Sequence, residues 1–265
     1  MKFIVAICLV AFGACSTLPP VPVHPNEDII QQALSHPGSR IIGGNDAEIC
    51  EYPWQASLMF SNSHVCGAVV VSDKVAITAA HCVSWAPSSY FSIRVGSKAR
   101  SRGGLVFAVA ETVVHEEYNV GAGAFPNDIA ILKFNESIIG PGAASVANLP
   151  DENSKDFAPH RCTITGWGYS VYGQVLPEVL QKAEMTVMKP KWCTDVFGSY
   201  INDGHVCLIS DDSASCNGDS GGPLTCGDTL VGVTSFGALG CPAIYPSVYT
   251  RITYFRQWIK DNSGV

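Results

Sequence analysis

The feature that most restricts the folds open to this chain is a single serine, Ser220, set among glycines. Gly218 stands two residues before it, and Gly221 and Gly222 follow it directly. Glycine lets the backbone turn tightly and point its N–H groups toward a ligand. A serine hydroxyl is a poor nucleophile alone and needs a neighbouring base, which itself needs an orienting partner. The segment Cys216–Pro223 therefore predicts an activated serine.

The order of the candidate residues along the chain excludes one large class of serine hydrolases. In α/β-hydrolases, the base histidine follows the nucleophile, whereas none of the seven histidines here follows Ser220. Two upstream segments supply a base and a partner, namely His81 in Thr78–Cys82 and Asp128 in Asn127–Leu132. These three residues occur in the order histidine, aspartate, serine, which differs from the order in α/β-hydrolases and is found in the catalytic triad of another class of serine hydrolases.

Composition sets the broad class of the protein. The chain has 265 residues, of which 47% are hydrophobic and 15% charged, so it can bury a large core and is not a disordered polymer. Its formal net charge of −7 offers no basic face, and we expect no nucleic-acid partner. Eleven cysteines indicate an oxidising compartment.

The amino-terminal region predicts export. Lys2 is followed by an apolar run, 3–12, and then by small residues, a pattern typical of a signal peptide spanning 1–16. The run is too short to span a bilayer, so we expect a secreted protein with no membrane association. A short proline-containing segment, 17–40, ends at Arg40.

From Ile41 onward the pattern is that of an all-β protein. Short alternating runs are separated by turn residues, and no alternation of strands with helices is visible, which favours barrels or a sandwich. Only the carboxyl end shows helical spacing. Ile252, Phe255 and Ile259 form one apolar stripe, which we expect to pack on the second half of the protein.

Together, the segments around His81, Asp128 and Ser220 resemble the chymotrypsin-like (trypsin-fold) secreted serine proteases, and the resemblance covers 41–265. It implies two six-stranded antiparallel β-barrels, about 41–145 and 146–265, with the active site between them and a C-terminal helix. The likeness is greatest to the chymotrypsin and elastase side of the family.

The resemblance also implies roles for individual residues. Ser220 is the nucleophile, His81 the general base, and Asp128 the group that orients it; the backbone N–H groups of Gly218 and Ser220 form the oxyanion hole. Cleavage after Arg40, in Arg-Ile-Ile-Gly-Gly, would free the amine of Ile41 to pair with Asp219. The expected partners are protein or peptide substrates, a trypsin-like activating protease and protein protease inhibitors, and the protein is expected to be a monomer.

The family's substrate-binding positions correspond here to Ala214, Ser235, Phe236, Gly237 and Ser247. An uncharged pocket base predicts cleavage after large apolar or aromatic residues. An elastase-like preference for small aliphatic residues remains an alternative, as does a non-catalytic homologue that acts as a binding protein.

The family's disulfide pattern pairs Cys66 with Cys82, Cys162 with Cys226, Cys193 with Cys207, and Cys216 with Cys241. Cys50 falls outside that pattern and is either free or bridged to Cys15. Asn135-Glu-Ser137 is a glycosylation sequon. No set of ligand-type residues has metal-binding spacing, so we expect neither a metal nor a cofactor.

Overall fold

The computed structural model describes residues 41–151, 154, 157–169 and 175–265. The expected signal peptide 1–16 and propeptide 17–40, including Arg40, lie outside the described residues. None of the helices in the described part is long and apolar enough to cross a membrane.

Strands dominate the part of the chain that the structure describes, which contains fourteen of them. The fourteen strands in chain order are β1 Asn45–Asp46, β2 Gln55–Phe60, β3 Ser63–Ser72, β4 Val75–Thr78, β5 Phe91–Val95, β6 Leu105–Ala108, β7 Glu111–Val114, β8 Ala130–Lys133, β9 Arg161–Gly166, β10 Gln181–Val187, β11 His205–Ile209, β12 Pro223–Cys226, β13 Thr229–Phe236 and β14 Ser247–Arg251. The helices of the described residues are α1 Pro190–Phe197 and α2 Arg256–Ser263, and the 3-10 turns are Ala80–Cys82, Ser88–Tyr90 and Gly198–Tyr200.

The first sheet is a strongly curled half-barrel. Its strands follow the order β6-β5-β2-β3-β4-β8-β7, and every pairing is antiparallel. The two edge strands, β6 and β7, are separated only by Val109 and Ala110, so one bent stretch of chain pairs with β5 at one edge and with β8 at the other.

The second sheet closes into a six-stranded barrel. Its order is β10-β11-β14-β13-β12-β9, and β9 also pairs with β10 to complete the ring. The predicted fold class is therefore confirmed, with a curled half-barrel in place of the first full barrel. The short strand β1 adds to β10. Strand β1 therefore belongs to the second sheet, although it lies within 41–145, the segment expected to form the first barrel.

The carboxyl-terminal helix exists but packs mainly on the first half of the chain instead of the second. The apolar stripe of Ile252, Phe255 and Ile259 joins a core cluster drawn mostly from the first sheet, together with Leu230 and Val233 of β13. The indole N–H of Trp258 also donates to Glu116, which follows β7. Helix α2 therefore connects the end of the chain to its first half. The apolar stripe in the sequence predicts which face is buried but not the sheet on which it packs.

Alternating side chains explain the strand faces. In β5, Phe91, Ile93 and Val95 are buried while the two residues between them are half-buried. In β8, which lies between β4 and β7, Ala130, Ile131 and Leu132 are all buried. This strand begins two residues after Asp128 and holds that part of the site on the core of the first sheet.

The described residues form four disulfides, Cys66–Cys82, Cys162–Cys226, Cys193–Cys207 and Cys216–Cys241. These are the pairs that the family pattern implies. Cys50 is free and exposed, and Cys15 lies outside the described residues. Asn135 is exposed just after β8, and its glycosylation stays a prediction.

Candidate active site

His81 and Asp128 form a doubly hydrogen-bonded pair. His81 lies on the 3-10 turn after β4, and its Nδ1–H donates to Asp128 Oδ2 over 2.8 Å. The backbone N–H of His81 donates to the other carboxylate oxygen, Oδ1, over 2.9 Å. Because Nδ1 is the donor, the neutral imidazole keeps its lone pair on Nε2, the nitrogen available to a substrate or nucleophile.

The second barrel also contributes donors to Asp128. Ser235 Oγ on β13 donates to Asp128 Oδ2 over 2.5 Å, and Thr250 Oγ1 on β14 donates to the Asp128 carbonyl over 2.7 Å. The carboxylate is fully buried, so the Ser235 hydroxyl replaces water that the carboxylate would otherwise bind. Ser235 was expected only as a substrate-binding residue; its side chain supports the carboxylate instead, and its substrate contact stays a prediction.

Ser220 lies at a sharp turn that is held against the first sheet. Its carbonyl accepts a hydrogen bond of 2.7 Å from the N–H of Gly67 on β3. At Gly221, φ is +76°, and a Cβ atom would lie 2.2 Å from Thr78 Oγ1. Any larger residue at Gly221 would push the turn away from β4, the strand that leads to His81.

Gly67 is a functional position that the sequence did not reveal. A Cβ atom there would lie 2.7 Å from the Cα of Gly222, so the two chain segments approach at backbone distance. Its neighbour Cys66 is disulfide-bonded to Cys82, the residue after His81. One short stretch of β3 therefore positions both the serine turn and the histidine turn.

His64 likewise acts on the site without belonging to the predicted set. Its Nε2–H donates to the carbonyl of Gly218 over 3.1 Å, and its Nδ1 accepts from Ser57 Oγ over 2.8 Å. Burial lowers the pKa of His64 to about 4, so the ring is neutral in this role. Gly218, one of the expected oxyanion donors, is thereby anchored to β3 through its carbonyl.

Asp219 is a buried carboxylate whose hydrogen-bond partners among the described residues are backbone N–H groups. Oδ1 accepts from the N–H of Gly168 over 2.7 Å, and Oδ2 accepts from the N–H of Cys216 over 2.9 Å. Burial raises the pKa of Asp219 to about 6, against the lowering effect of these two bonds. None of the ion pairs formed by the described residues includes Asp219.

The residues expected to form the base of a substrate pocket below Ser220 carry no charge. Ala214, Ser215 and Ser247 are buried, and the N–H of Ser215 donates to Ser247 Oγ over 3.2 Å. At Gly237, a Cβ atom would meet nothing within 4 Å, so that wall is open. The disulfide Cys216–Cys241 joins the serine segment to the chain beyond Gly237.

Among the described residues, one group brings three ligand-type atoms within 4.8 Å of one another: Cys66, His81 and Cys82. Its two sulfurs are joined in a disulfide and cannot ligate as thiolates. This group therefore belongs to the site already described.

Comparison with known proteins identifies relatives of the same architecture. The family described as Trypsin matches residues 41–259. The chain is 35% identical to "Trypsin delta" of Drosophila melanogaster over 268 residues, covering 99% of this chain and 100% of the relative. It is 38% identical to "Fibrinolytic enzyme, isozyme C" of Lumbricus rubellus over 241 residues, covering 84% and 100%.

Two further relatives extend the comparison. The chain is 36% identical over 248 residues to "Chymotrypsin-like serine proteinase" of Haliotis rufescens, covering 86% of this chain and 93% of that one. Among solved structures, mouse neuropsin, titled a serine protease expressed in the limbic system of the brain, aligns with a TM-score of 0.75 and 30% identity, over 83% of this chain and 98% of that one.

We expect Ser235→Ala to reduce kcat for peptide hydrolysis about five- to tenfold, because Asp128 loses a donor that fixes its carboxylate. Steady-state kinetics on one peptide, with unfolding temperature as a check on the fold, measure this effect. The control is Ser88→Ala, which removes a half-buried hydroxyl that donates to the Ala110 carbonyl, away from His81 and Asp128. An unchanged kcat in a folded Ser235→Ala protein would contradict this role for the hydroxyl.

Proposed function

This chain belongs to the trypsin family of serine endopeptidases, and we propose that it is secreted as an inactive precursor and, once cleaved, hydrolyses peptide chains after large apolar residues. The observation that carries this proposal is the hydrogen-bonded pair formed by His81 and Asp128 beside the Ser220 turn. The residues proposed to form the base of the substrate pocket carry no charge. Four disulfides among the described residues are consistent with secretion.

The proposed chemistry is acyl transfer to water. Ser220 Oγ attacks the peptide carbonyl while His81 Nε2 removes its proton, and the imidazolium then donates that proton to the leaving amine. Asp128 holds the required tautomer and stabilises the imidazolium. The N–H groups of Gly218 and Ser220 receive the oxyanion, each donor stabilising the transition state by about 3–4 kcal/mol. Water then attacks the acyl-enzyme by the reverse sequence of proton transfers.

A non-catalytic homologue is the less favoured reading. A binding protein has no need to keep a histidine hydrogen-bonded to a buried carboxylate. Here the carboxylate of Asp128 receives donors from His81 and Ser235, which together leave its two oxygens satisfied. Burying a carboxylate costs free energy. The imidazolium that forms on His81 during catalysis, which this carboxylate stabilises, explains why the cost is accepted.

The activation step rests on the surroundings of Asp219. Its carboxylate is buried with two backbone donors, and the ionised form lacks a cation among the described residues. Ile41 is buried in the core of the second barrel, and its neighbour Ile42 pairs with Ala214, five residues before Asp219. Cleavage after Arg40 by a trypsin-like protease would release an ammonium group near this carboxylate and offset its desolvation.

Two glycines make room for this carboxylate. A Cβ atom on Gly166 would lie 2.1 Å from Asp219 Oδ1, and one on Gly168 would lie 2.2 Å from Oδ2. Neither glycine has a left-handed backbone, so space and not conformation requires them. The buried position of Asp219 is thus built into β9 and the residues after it.

The pocket explains the proposed substrate preference. A buried lysine or arginine would lack a counter-charge at Ala214, Ser215 and Ser247, which costs several kcal/mol. A large apolar side chain instead gains about 1.5–3 kcal/mol on burial. The open wall at Gly237 admits a ring, whereas a branched residue at that position would favour the elastase-like alternative of small aliphatic residues.

Activation can be tested with Arg40→Gln. We expect this precursor to stay uncleaved and almost inactive after treatment with trypsin, whereas the wild-type precursor gains activity. An α-amino group ordinarily has a pKa of about 8. In the cleaved wild-type enzyme, pairing with Asp219 raises the pKa of the Ile41 amine above that value. Only the protonated amine can pair, so kcat/KM should fall as pH rises through the raised pKa. Full activity of Arg40→Gln would overturn this mechanism.

Substrate preference can be tested with peptides that differ only in the residue before the scissile bond. We expect the highest kcat/KM for Phe, Tyr, Leu and Met, lower values for Ala and Val, and the lowest for Lys and Arg. Gly237→Val should narrow the pocket mouth and lower the Phe value more than the Ala value. If the arginine peptide is the best substrate, the assignment of Ala214 as the pocket base is wrong.

A further inference from the structure

A buried hydroxyl, that of Thr78, lies where the strand that leads to His81 meets the turn that carries Ser220. Thr78 is the last residue of β4, three residues before His81, and its side chain is buried. Its Oγ1–H donates to the carbonyl of Gly67 on β3 over 2.8 Å. The backbone ladder between β3 and β4 ends at Ile77. The hydroxyl therefore extends the connection between these two strands by one residue.

Gly67 carries this connection on to the serine. Its carbonyl accepts from Thr78, and its N–H donates to the Ser220 carbonyl over 2.7 Å. The path of hydrogen bonds from the end of β4 to the backbone of Ser220 thus passes through one residue. A shift of Gly67 relative to β4 would move the serine turn with it.

The Thr78 hydroxyl also contacts the serine turn directly. A Cβ atom on Gly221 would lie 2.2 Å from Thr78 Oγ1, so the hydroxyl packs against the residue that follows Ser220. From the second barrel, the carbonyl of Thr234 on β13 accepts a hydrogen bond of 2.8 Å from the N–H of Gly221. The turn is therefore held between β4 of the first sheet and β13 of the second barrel.

Two separate links join β3 to the segment that carries His81. The disulfide Cys66–Cys82 connects β3 to the residue directly after His81. The Thr78 hydroxyl connects β3 to the segment before His81. The disulfide does not duplicate the hydroxyl, because each link fixes a different side of the histidine turn.

We propose that Thr78 is a positioning residue that sets the separation between Ser220 and His81 through the bond of its hydroxyl to Gly67. This inference rests on the proposed function, because the separation matters only where the histidine removes the proton of the serine. That transfer requires hydrogen-bond distance between the serine hydroxyl and Nε2 of the ring. Without the Thr78 hydroxyl, the serine turn and the histidine turn shift relative to each other. The attack of Ser220 slows, whereas substrate binding is unchanged.

The test compares Thr78→Val, which keeps the shape of the side chain but removes the hydroxyl, with Thr78→Ser, which keeps the hydroxyl. In the cleaved enzyme, we expect Thr78→Val to lower kcat on a peptide amide about tenfold and to change KM less than about twofold. Thr78→Ser should keep at least about half of the wild-type kcat.

A second measurement follows the nucleophile without a peptide substrate. Phenylmethanesulfonyl fluoride sulfonylates an activated serine: the oxygen of Ser220 bonds to sulfur, fluoride leaves, and His81 takes the proton. We expect Thr78→Val to lower the rate of this inactivation by a factor similar to that for kcat, because both reactions need the same serine–histidine geometry.

Thr165→Val is the matched control. Thr165 on β9 is also buried, and its hydroxyl donates to Gln55 Oε1 over 2.6 Å. Each valine variant removes a hydrogen bond from a buried threonine, so both should lower the unfolding temperature. We expect Thr78→Val alone to lower kcat and the sulfonylation rate.

Three results would overturn the proposal: equal losses of kcat in the two valine variants, wild-type kcat in Thr78→Val, or a loss confined to KM. Should Thr78→Val not fold, Thr78→Cys takes its place with the same expectations, because a thiol is only a weak donor. A wild-type enzyme that neither hydrolyses the peptide nor reacts with the sulfonyl fluoride would instead refute the proposed function.

Discussion

The structure depends on one buried carboxylate that both halves of the chain support. Asp128 precedes a core strand of the first sheet and bonds His81 from the same half, yet Ser235 and Thr250 reach it from the closed barrel. A buried charge requires donors on every side. Because these donors come from both sheets, Asp128 gains its full set of hydrogen bonds only when the two halves are docked. Folding and catalytic competence are thus coupled at Asp128.

Much of the fold follows from local pattern. The alternation in β5 and the activated-serine segment around Ser220 are visible in the sequence, and so is the order of the triad. Helix α1, Pro190–Phe197, was not predicted, although it begins with a proline at its first position, and Gly198, with φ of +58°, follows its last residue. Its few apolar residues form no long stripe, so start and stop residues were the only available signal.

Long-range packing accounts for what the sequence left undetermined. Gly67 lies in a strand, and only its close approach to the Gly222 backbone requires a glycine at this position. His64 acts on the site only because it donates a hydrogen bond to the Gly218 carbonyl. The apolar stripe at the carboxyl end predicted the buried face correctly but not the sheet on which this face mainly packs. In each case, the contacting residue lies more than a hundred residues away along the chain, so the local periodicity of the sequence cannot predict the contact.

The most direct test concerns the hydroxyl of Ser220. After cleavage at Arg40, Ser220→Ala should lower kcat for peptide hydrolysis by about 10⁴-fold or more, because the nucleophile is lost while the oxyanion donors and pocket remain. Its unfolding temperature should match that of the wild-type enzyme, since the hydroxyl acts chiefly in the transition state. A folded Ser220→Ala protein that retains most of its activity would contradict the assignment of Ser220 as nucleophile.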